Sequence, residues 1–267
     1  MKLAVLLSFC VGVFGAQNKI ELVKLKPTEV NYGSSIEIQG SDNLKRNEPL
    51  YLLVTDFPVG VETPAQSTKG MRKLPYGSTV MVMVNGSSRF YIDKNDINTY
   101  EEQRNYFNKR YRKKIPSPVS RKLEEGSPVI VTVILVCSNG ETVKLPNASK
   151  HRVFCYQSGC EGDSLEMKEL EAPHLIYNEP YGTYLAGRPV LIDFIPKNVE
   201  ISTWGSQVKM YLDDKPFATL VDVGPYALYN VPVGKHTLRL VLVDSKGKTI
   251  DNTVFPAQDV DFYVVES

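Results

Sequence analysis

The chain has 267 residues, of which 42% are hydrophobic and 23% are charged, so it is long and apolar enough to bury a core of one or two domains. Its 31 Lys and Arg residues against 30 Asp and Glu residues leave a formal net charge of +1. This balance excludes a protein that coats nucleic acid by its overall charge, so any charge-driven binding must come from a local patch.

The first 16 residues have the pattern of a secretory signal peptide. Met1 and Lys2 precede an apolar run from Leu3 to Phe14, and the small residues Gly15 and Ala16 follow it. The run is shorter than the roughly 20 apolar residues that a membrane-spanning helix requires. We therefore predict that residues 1–16 are cleaved and that the mature protein is secreted to the extracellular space without spanning a membrane.

Residues 17–156 have the pattern of a β-sandwich. Apolar and polar residues alternate at period two in segments such as Ser35–Gln39, Val80–Val84 and Val129–Val136, and Gly, Pro, Asn and Asp bound these segments. Strand patterns recur about every ten residues without helical patterns between them, which favours an antiparallel all-β fold.

One insertion, at about residues 98–122, interrupts the strands. Thr99 and Glu102 have capping-box spacing, Lys113 and Lys114 lie at the expected last turn, and Pro116 would end the helix, so we predict a helix over about 99–114. Its basic residues are candidates for binding a sulfated polyanion. An alternative is an ordinary solvated surface helix. The four candidates are Lys109, Arg110, Arg112 and Lys113.

Export would permit disulfides and glycans. Signal cleavage removes Cys10 and leaves Cys137, Cys155 and Cys160 as disulfide candidates. Spacing does not choose between a closed Cys155–Cys160 loop, with Cys137 as a buried free thiol, and a Cys137–Cys155 pair that leaves Cys160 to join copies into a homo-oligomer. Asn85 and Asn147 begin glycosylation sequons in turn-like contexts, so we predict a glycoprotein.

A second β-rich segment, residues 173–267, follows an acidic linker at residues 157–172 that has room for a short helix. Val133–Val143 aligns without a gap on Leu240–Ile250, and Gly77–Gly86 aligns on Gly205–Asp214. The matched pieces come in the same order in both segments. We therefore predict two tandem β-sandwich domains that arose by duplication.

The second segment also resembles a known family. Pro180–Tyr184, Val190–Phe194, Val208–Leu212 and Pro232–Gly247 are similar to immunoglobulin-like and fibronectin-III-like modules of extracellular proteins, often found beside carbohydrate-active enzymes. The resemblance covers residues 172–267 well and the first segment weakly. It implies an immunoglobulin-like fold without catalytic residues. The two cysteines that flank a tryptophan in antibody-type domains are missing: Trp204 is the only tryptophan, and Cys137 has no cysteine partner on an earlier strand.

The motifs of common enzymes are missing from the sequence. His151, His174 and His236 have no zinc-site spacing, and there is no nucleophile elbow, phosphate loop or dinucleotide fingerprint. We expect no cofactor, no metal and no catalysis. Paired carboxylates could still act as in glycosidases, although Asp residues at turns and strand ends are ordinary in β-sandwiches. These carboxylates are Asp213, Asp214, Asp222, Asp244, Asp251, Asp259 and Asp261.

Aromatic residues are the remaining hint of function. Tyrosine combines an apolar face with a polar tip, which suits sugar stacking or a protein interface. The candidates in the second segment are Tyr181, Tyr184, Trp204, Tyr226 and Tyr229. We predict a secreted, non-catalytic binding or adhesion protein for a protein or glycan at the cell surface or matrix. The alternatives are a carbohydrate-active enzyme or its accessory module, and a structural protein assembled through an unpaired cysteine.

Overall fold

A computed structural model describes residues 19–30, 33–45, 50–63, 70–86, 88–92, 110–115, 125–159 and 165–266. The predicted all-β fold is confirmed, since 17 strands and one short helix make up the regular structure of this part of the chain. No helix in the described ranges has the length and apolar content needed to cross a membrane. The predicted signal peptide and residues 98–109 and 116–122 of the predicted insertion lie outside the described residues.

Eight strands of the N-terminal half form two sheets that we call the N-terminal sandwich. Sheet order is β2-β4-β7 in one layer and β3-β9-β8-β5-β6 in the other. Their shared core contains Phe57, Leu52 and Phe154, all 1% exposed or less. The strands are β2 (Ser35–Gln39), β3 (Asn43–Leu44), β4 (Leu50–Thr55), β5 (Thr79–Val84), β6 (Ser88–Ile92), β7 (Arg110–Ile115), β8 (Pro128–Val136) and β9 (Ser149–Tyr156).

The C-terminal half, joined by strand β1 (Glu21–Lys24), also forms two sheets. Their orders are β1-β15-β12-β10 and β11-β17-β16-β13-β14, and we call the pair the C-terminal sandwich. Helix α1 (Leu165–Glu171) precedes it within the predicted linker. The strands are β10 (His174–Glu179), β11 (Gly182–Leu185), β12 (Val190–Lys197), β13 (Gln207–Leu212), β14 (Lys215–Leu220), β15 (Tyr226–Tyr229), β16 (Gly234–Val243) and β17 (Asp259–Val265).

The strand pairs matched in sequence occupy equivalent positions. Strands β8 and β16 are each the third strand in the order of their five-stranded sheets. Strands β5 and β13 are each the fourth. The turns after β8 and β16 also share one hydrogen-bond pattern: the Cys137 amide donates to the Glu141 carbonyl, and the Asp244 amide donates to the Lys248 carbonyl. In both turns a glycine, Gly140 or Gly247, adopts a positive φ.

Strand β1 (Glu21–Lys24) lies within residues 17–156, which the sequence analysis assigned to the first β-sandwich. It pairs antiparallel with β15, so it extends a sheet of the C-terminal sandwich rather than the N-terminal one. Leu22 packs against the C-terminal core, and Lys24 forms an ion pair with Asp222 at 2.7 Å. A few residues later, Val30 packs against the N-terminal core. The segment from β1 to Val30 therefore connects both sandwiches.

The predicted helix over residues 99–114 is wrong at its C-terminal end. Residues 110–115 form strand β7, which pairs in register with β4 from Leu50↔Ile115 to Thr55↔Arg110. Pairing with an existing strand outweighs the local helix signals, because strand preference depends on the neighbouring strands.

The two sandwiches pack directly against each other. Strands β5 and β8 are buried on both faces, and their outer face carries Met81, Met83 and Ile134. This face packs on Ile176 and Ile195 of the C-terminal sandwich. An apolar contact that runs across both sheets fixes the sandwiches as one unit.

Candidate ligand-binding cleft

A cleft of about 330 Å³ opens where the two sandwiches meet. Its floor is apolar and belongs mostly to the C-terminal sandwich, with Leu175, Phe194, Leu240, Leu242 and Ile250. The loop before β17 and the hairpin of β5 and β6 form the walls. The volume lies at the small end of the roughly 300–1,000 Å³ that is usual for ligand sites.

Tyr181 stands at the mouth of the cleft. Its side chain is 47% exposed, and the Arg89 guanidinium carbon lies 3.6 Å from the ring centroid. Arg89 Nη1 donates to the Asn178 carbonyl at 2.7 Å, and Arg72 Nη1 donates to the Tyr181 carbonyl at 2.7 Å. Two arginines of the N-terminal half thus hold this tyrosine in place, with one ring face covered by a guanidinium.

His174 lines the cleft and is 1% exposed. Its ring stacks on Phe255 with centroids 4.7 Å apart, and Nδ1 lies 2.9 Å from the Ala172 carbonyl oxygen. A carbonyl only accepts hydrogen bonds, so Nδ1 carries the proton and Nε2 keeps a free lone pair. Burial lowers the pKa of His174, which favours this neutral form. Among the described residues Nε2 has no hydrogen-bond partner.

The rim of the cleft is acidic. Asp261 accepts from Lys235 Nζ at 2.7 Å and from Thr237 Oγ1 at 2.8 Å, and the Lys235 ammonium lowers the pKa of this carboxyl. Asp259 lies beside it, 3.5 Å from Arg239 Nε. Both carboxylates line the cleft at positions two residues apart on β17.

A buried polar joint lies next to the cleft and fixes its geometry. Asp193 of β12 is 0% exposed and accepts from Thr142 Oγ1 at 2.7 Å, Asn178 Nδ2 at 2.8 Å and Lys144 Nζ at 2.6 Å. The turn residue Gly140 supplies its carbonyl to Asn178 at 2.7 Å. A turn of the N-terminal sandwich is therefore bonded into the sheet of the C-terminal one.

Two more buried carboxylates belong to this joint. Glu141 accepts from the Thr28 hydroxyl at 2.6 Å, and Glu179 accepts from Arg72 Nη2 at 3.0 Å and from the Tyr184 hydroxyl at 2.5 Å. Burial raises the pKa of both carboxyls, while their donors oppose the shift. Every carboxylate of the joint has donors, as buried charges require.

The predicted aromatic candidates do not form one platform. Tyr184 is 3% exposed and Tyr226 is 6% exposed, so both belong to the C-terminal core and not to a binding surface, because their hydroxyls bond inside the protein to Glu179 and Asp222. Tyr229 is half-buried against Leu191 and Ala227. Of the five predicted aromatic candidates, Tyr181 alone lines the cleft, where Tyr177 lies as well.

Trp204 lies apart from the cleft on the loop between β12 and β13. Its side chain is 90% exposed. The loop is held by its own bonds, since the Gly205 amide donates to Ser202 Oγ at 2.9 Å and the Ser202 amide donates to the Ser206 carbonyl at 3.0 Å. The fold thus presents Trp204 on an ordered loop.

Three of the four predicted basic residues lie on strand β7 and not on a helix. Lys109 lies outside the described residues. Arg110 and Arg112 are the register partners of Thr55 and Leu53, whereas Lys113 is the partner of the buried Leu52.

Three of the carboxylates considered for a glycosidase, besides Asp259 and Asp261, have structural partners. Asp213 accepts from His236 at 2.9 Å and from the Thr237 amide, Asp222 pairs with Lys24, and Asp244 accepts from two turn amides. The pKa values of Asp222 and Asp244 are lowered by these donors. A general acid needs the opposite shift. Within the described residues no cluster of His, Cys, Asp and Glu could hold a metal ion.

Cys137 is a free, buried thiol, and Cys155 is half-buried on β9. Cys160 lies outside the described residues. The sequon residues Asn85 and Asn147 are both exposed, although Asn85 Oδ1 accepts from the Ile130 amide at 2.9 Å and Asn147 Oδ1 from Lys150 Nζ at 3.2 Å.

Sequence reasoning missed Arg89 and His174 as cleft residues. Arg89 belongs to a short strand without a distinctive motif, and His174 is a single histidine at a strand start. The contact between Arg89 and Tyr181 joins the two sandwiches, so local sequence patterns carry no signal of it.

Neither a protein-family model nor a curated protein sequence matches the chain. Fibronectin(III)-like modules of Clostridium thermocellum CbhA align over 86% of this chain and 94% of their own, with 11% identity and a TM-score of 0.28. The central fibronectin-III array of RIM-binding protein aligns over 92% of this chain and 70% of its own, with 12% identity and a TM-score of 0.25. Bacteroides ovatus SGBP-B, solved with a mixed-linkage heptasaccharide, aligns over 87% and 45%, with 12% identity and a TM-score of 0.23. In fold, the chain resembles fibronectin III-like modules.

Proposed function

We propose that this chain is a secreted, non-catalytic binding protein that recognises an extracellular protein or glycan through the cleft between its sandwiches. The observation that carries the proposal is the exposed Tyr181 ring, held by Arg89 over an apolar cleft of about 330 Å³. An aromatic residue fixed in advance loses little conformational freedom on binding, so more of its contact energy becomes affinity.

The electrostatics of the cleft support binding rather than hydrolysis. Lys235 and Thr237 lower the pKa of Asp261, so it is poorly suited to be the proton donor of a glycosidase. The buried carboxyls with raised pKa, Glu141 and Glu179, are occupied by donors within the joint. A carbohydrate-active enzyme therefore has less support than a binding protein.

The decisive experiment compares two tyrosine variants of the mature protein. Tyr181→Ala removes the ring at the cleft, and Tyr76→Ala removes a comparably exposed ring, 44% exposed, that does not line the cleft. Binding to arrays of glycans and extracellular proteins should weaken at least about tenfold for Tyr181→Ala and stay unchanged for Tyr76→Ala. Equal binding by both variants would place the recognition site elsewhere.

The basic strand β7 gives a competing site for a sulfated polyanion. Changing Lys109, Arg110, Arg112 and Lys113 to Gln removes its predicted cations. Salt-sensitive binding to heparin that disappears in this variant, but persists in Tyr181→Ala, would assign recognition to the strand instead of the cleft.

We also propose that Cys155 pairs with Cys160 within one chain. The supporting observation is that Cys137 is free and buried, so it is not available to either cysteine. Non-reducing electrophoresis and peptide mass spectrometry should then show a monomer with one short disulfide loop. A dimer that disappears in Cys160→Ser would instead support assembly through an unpaired cysteine.

We propose further that residues 17–156 and 173–267 are tandem copies of one ancestral domain. The shared sheet order and the shared turn after β8 and β16 support this origin.

A further inference from the structure

We infer that the cleft binds an extended segment of a partner protein, which adds a strand beside the first half of β17 and places an apolar residue between two basic ones. This inference rests on the proposed function and names the ligand class of the same site. Strand β16 pairs with β17 from Asp259 to Val264, whereas β11 pairs with it only from Phe262 to Val265. Along Asp259–Asp261, which we call the open edge, β17 therefore has one neighbouring strand among the described residues.

The direction of the β16 backbone shows which polar groups lie at the open edge. The Thr237 amide donates to Asp213 Oδ1 and the Thr237 carbonyl accepts from the Asp213 amide, both at 2.9 Å, so the backbone of Thr237 faces away from β17. Residues of an antiparallel strand alternate in direction. The next residue, Leu238, therefore faces β17 and pairs with Val260, whose backbone is used within the sheet.

The neighbours of Val260 face the opposite way. On that side of β17 the Ala186 amide donates to the Val265 carbonyl at 2.8 Å, in the half that pairs with β11. Asp259 and Asp261 have the same backbone direction as Val265, because successive residues of a strand alternate. The Asp261 amide and both polar backbone groups of Asp259 thus point to a position that no strand of the described ranges occupies. Both residues are exposed and line the cleft.

The chain just before β11 does not fill this position. The Tyr181 carbonyl accepts from Arg72 Nη1 at 2.7 Å, and the Pro180 carbonyl accepts from the Tyr177 hydroxyl at 3.1 Å. The two carbonyls that could extend β11 along β17 are therefore bonded elsewhere. Because the next residue pairs with Phe262, Tyr181 lies at the end of the open edge. An unpaired strand edge is a template for an added strand.

The floor of the cleft suits one apolar side chain of the added strand. Residues directly opposite each other on neighbouring strands point to the same face of a sheet. Val260 lies opposite the core residue Leu238 and lines the cleft, so a residue placed beside Val260 points towards the floor. Leu175, Leu240 and Leu242 form part of that floor. An aliphatic side chain there would exchange water for apolar contacts.

Charge selects the residues on either side of that apolar one. The side chains of Asp259 and Asp261 are 52% and 45% exposed, and each already has a cation on the β16 side, Arg239 and Lys235. Arg89 is the one cation among the described residues that line the cleft, against these two carboxylates. Lys or Arg residues of the added strand would lie beside the carboxylates, whereas acidic residues would be repelled. The expected pattern is basic, apolar, basic, for either strand direction.

The test screens the mature protein against an array of short synthetic peptides. Each peptide has Lys or Arg on both sides of a Val, Ile or Leu. In matched peptides the basic residues are replaced by Glu, or the apolar residue by Ser. Versions of the best binder with one methylated backbone amide each test for main-chain pairing, because a methylated amide cannot donate. Neutral glycans are titrated beside the peptides.

Two variants separate the backbone of the open edge from its charge. Asp259→Pro removes an amide that faces away from β16, which is where a sheet tolerates proline, whereas Asp259→Asn removes the charge alone. Asp214→Asn is the matched control, because Asp214 is exposed in the turn after β13 and does not line the cleft.

We expect the basic, apolar, basic peptides to bind the wild type and Asp214→Asn equally. Affinity should fall in Asp259→Asn, and by at least about tenfold in Asp259→Pro and in Tyr181→Ala. The Glu and Ser peptides should not bind. One or more of the methylated versions should lose binding, since the added strand donates to the Asp259 carbonyl.

Several results would overturn the inference and leave the proposed function standing. They are peptide binding that depends on Tyr181 but is unchanged in Asp259→Pro, and binding of a neutral glycan that depends on Tyr181 while no peptide binds. Dimerisation that disappears in both Asp259→Pro and Tyr181→Ala would assign the open edge to a second copy of the chain and also overturn the inference. If no ligand depends on Tyr181, the inference and the proposed function are both overturned.

A measurement on the wild type covers the case in which Asp259→Pro does not fold. Amide hydrogen exchange at Asp259 and Asp261 should slow at least about tenfold on saturation with the best peptide, because both amides gain acceptors. Strand β14 is the other edge of the same sheet, and its amides over Lys215–Leu220 should exchange as before. A peptide that binds without protecting Asp259 and Asp261 contradicts the inference.

Discussion

Asp193 is the residue on which the joint between the sandwiches depends most. Its carboxylate is fully buried and its ion-pair partner Lys144 is 15% exposed. Lys144→Met removes the cation and leaves a buried charge, which should cost about 3–5 kcal/mol of unfolding free energy in urea titration. Lys73→Met, which breaks an exposed ion pair with Glu62, should cost about 0–1 kcal/mol. Equal losses in the two variants would contradict this assignment.

Individual functional side chains were the hardest to predict from the sequence. Tyr181 and Tyr184 are three residues apart and chemically identical, yet one stands at a cleft and the other is a core residue bonded to Glu179. Tyr181 lies in the connection between β10 and β11, whereas Tyr184 is the one buried residue of β11. His174 gave no signal at all, because its significance depends on a pocket built by two distant segments.

Strand β1 is an edge strand. Substitutions on its two faces test whether its core contact holds it against β15. Leu22 packs on the C-terminal core, whereas Val23 is 41% exposed. Leu22→Asp should release β1 from β15 and raise amide hydrogen exchange over Tyr226–Tyr229, because a charge replaces a core contact. Val23→Asp should leave that exchange unchanged. Protection of β15 that survives Leu22→Asp would mean that main-chain pairing alone holds β1.

At the scale of elements, the strands were predictable and the insertion was not. Period-two alternation over Ser35–Gln39 predicted β2 correctly. The segment at β7 has good helix-ending residues, but it completes a sheet beside β4. Local sequence patterns carry no information about this distant partner strand, so they predicted a helix where a strand forms.

The pH dependence of stability is a property of the whole molecule to which His174 contributes with a definite sign. Burial lowers its pKa below the ordinary 6.5, so the unfolded chain binds the proton more readily. This contribution is present above pH 6.5 and is lost as pH falls below it, by up to about 1.4 kcal/mol per pH unit.

Unfolding free energies of the wild type and His174→Phe between pH 7.5 and 5.5 isolate this contribution. The wild type should lose more stability than the variant over that range. Glu141 and Glu179, with raised pKa values, act in the opposite direction in both proteins and cancel in the comparison. Parallel curves would show that His174 does not titrate differently on folding.

The relation between the two halves was only partly visible in the sequence. The matched strand-turn-strand segments indicated a repeat, and the structure places them at equivalent sheet positions. The predicted period-two alternation over Val80–Val84 and Val129–Val136 was wrong, because both runs are almost continuously apolar and their strands are buried on both faces. Such runs mark strands covered on both faces, but they do not name what covers them.

The two-sided burial of β5 and β8 limits how this architecture can be recombined. In arrays where each module has a polar exterior, a module can be deleted, duplicated or moved into another gene without harm. Here, separation would expose Met81, Met83 and Ile134 to water as an aggregation-prone face. The two sandwiches must therefore be duplicated or transferred between genes together, as a single unit.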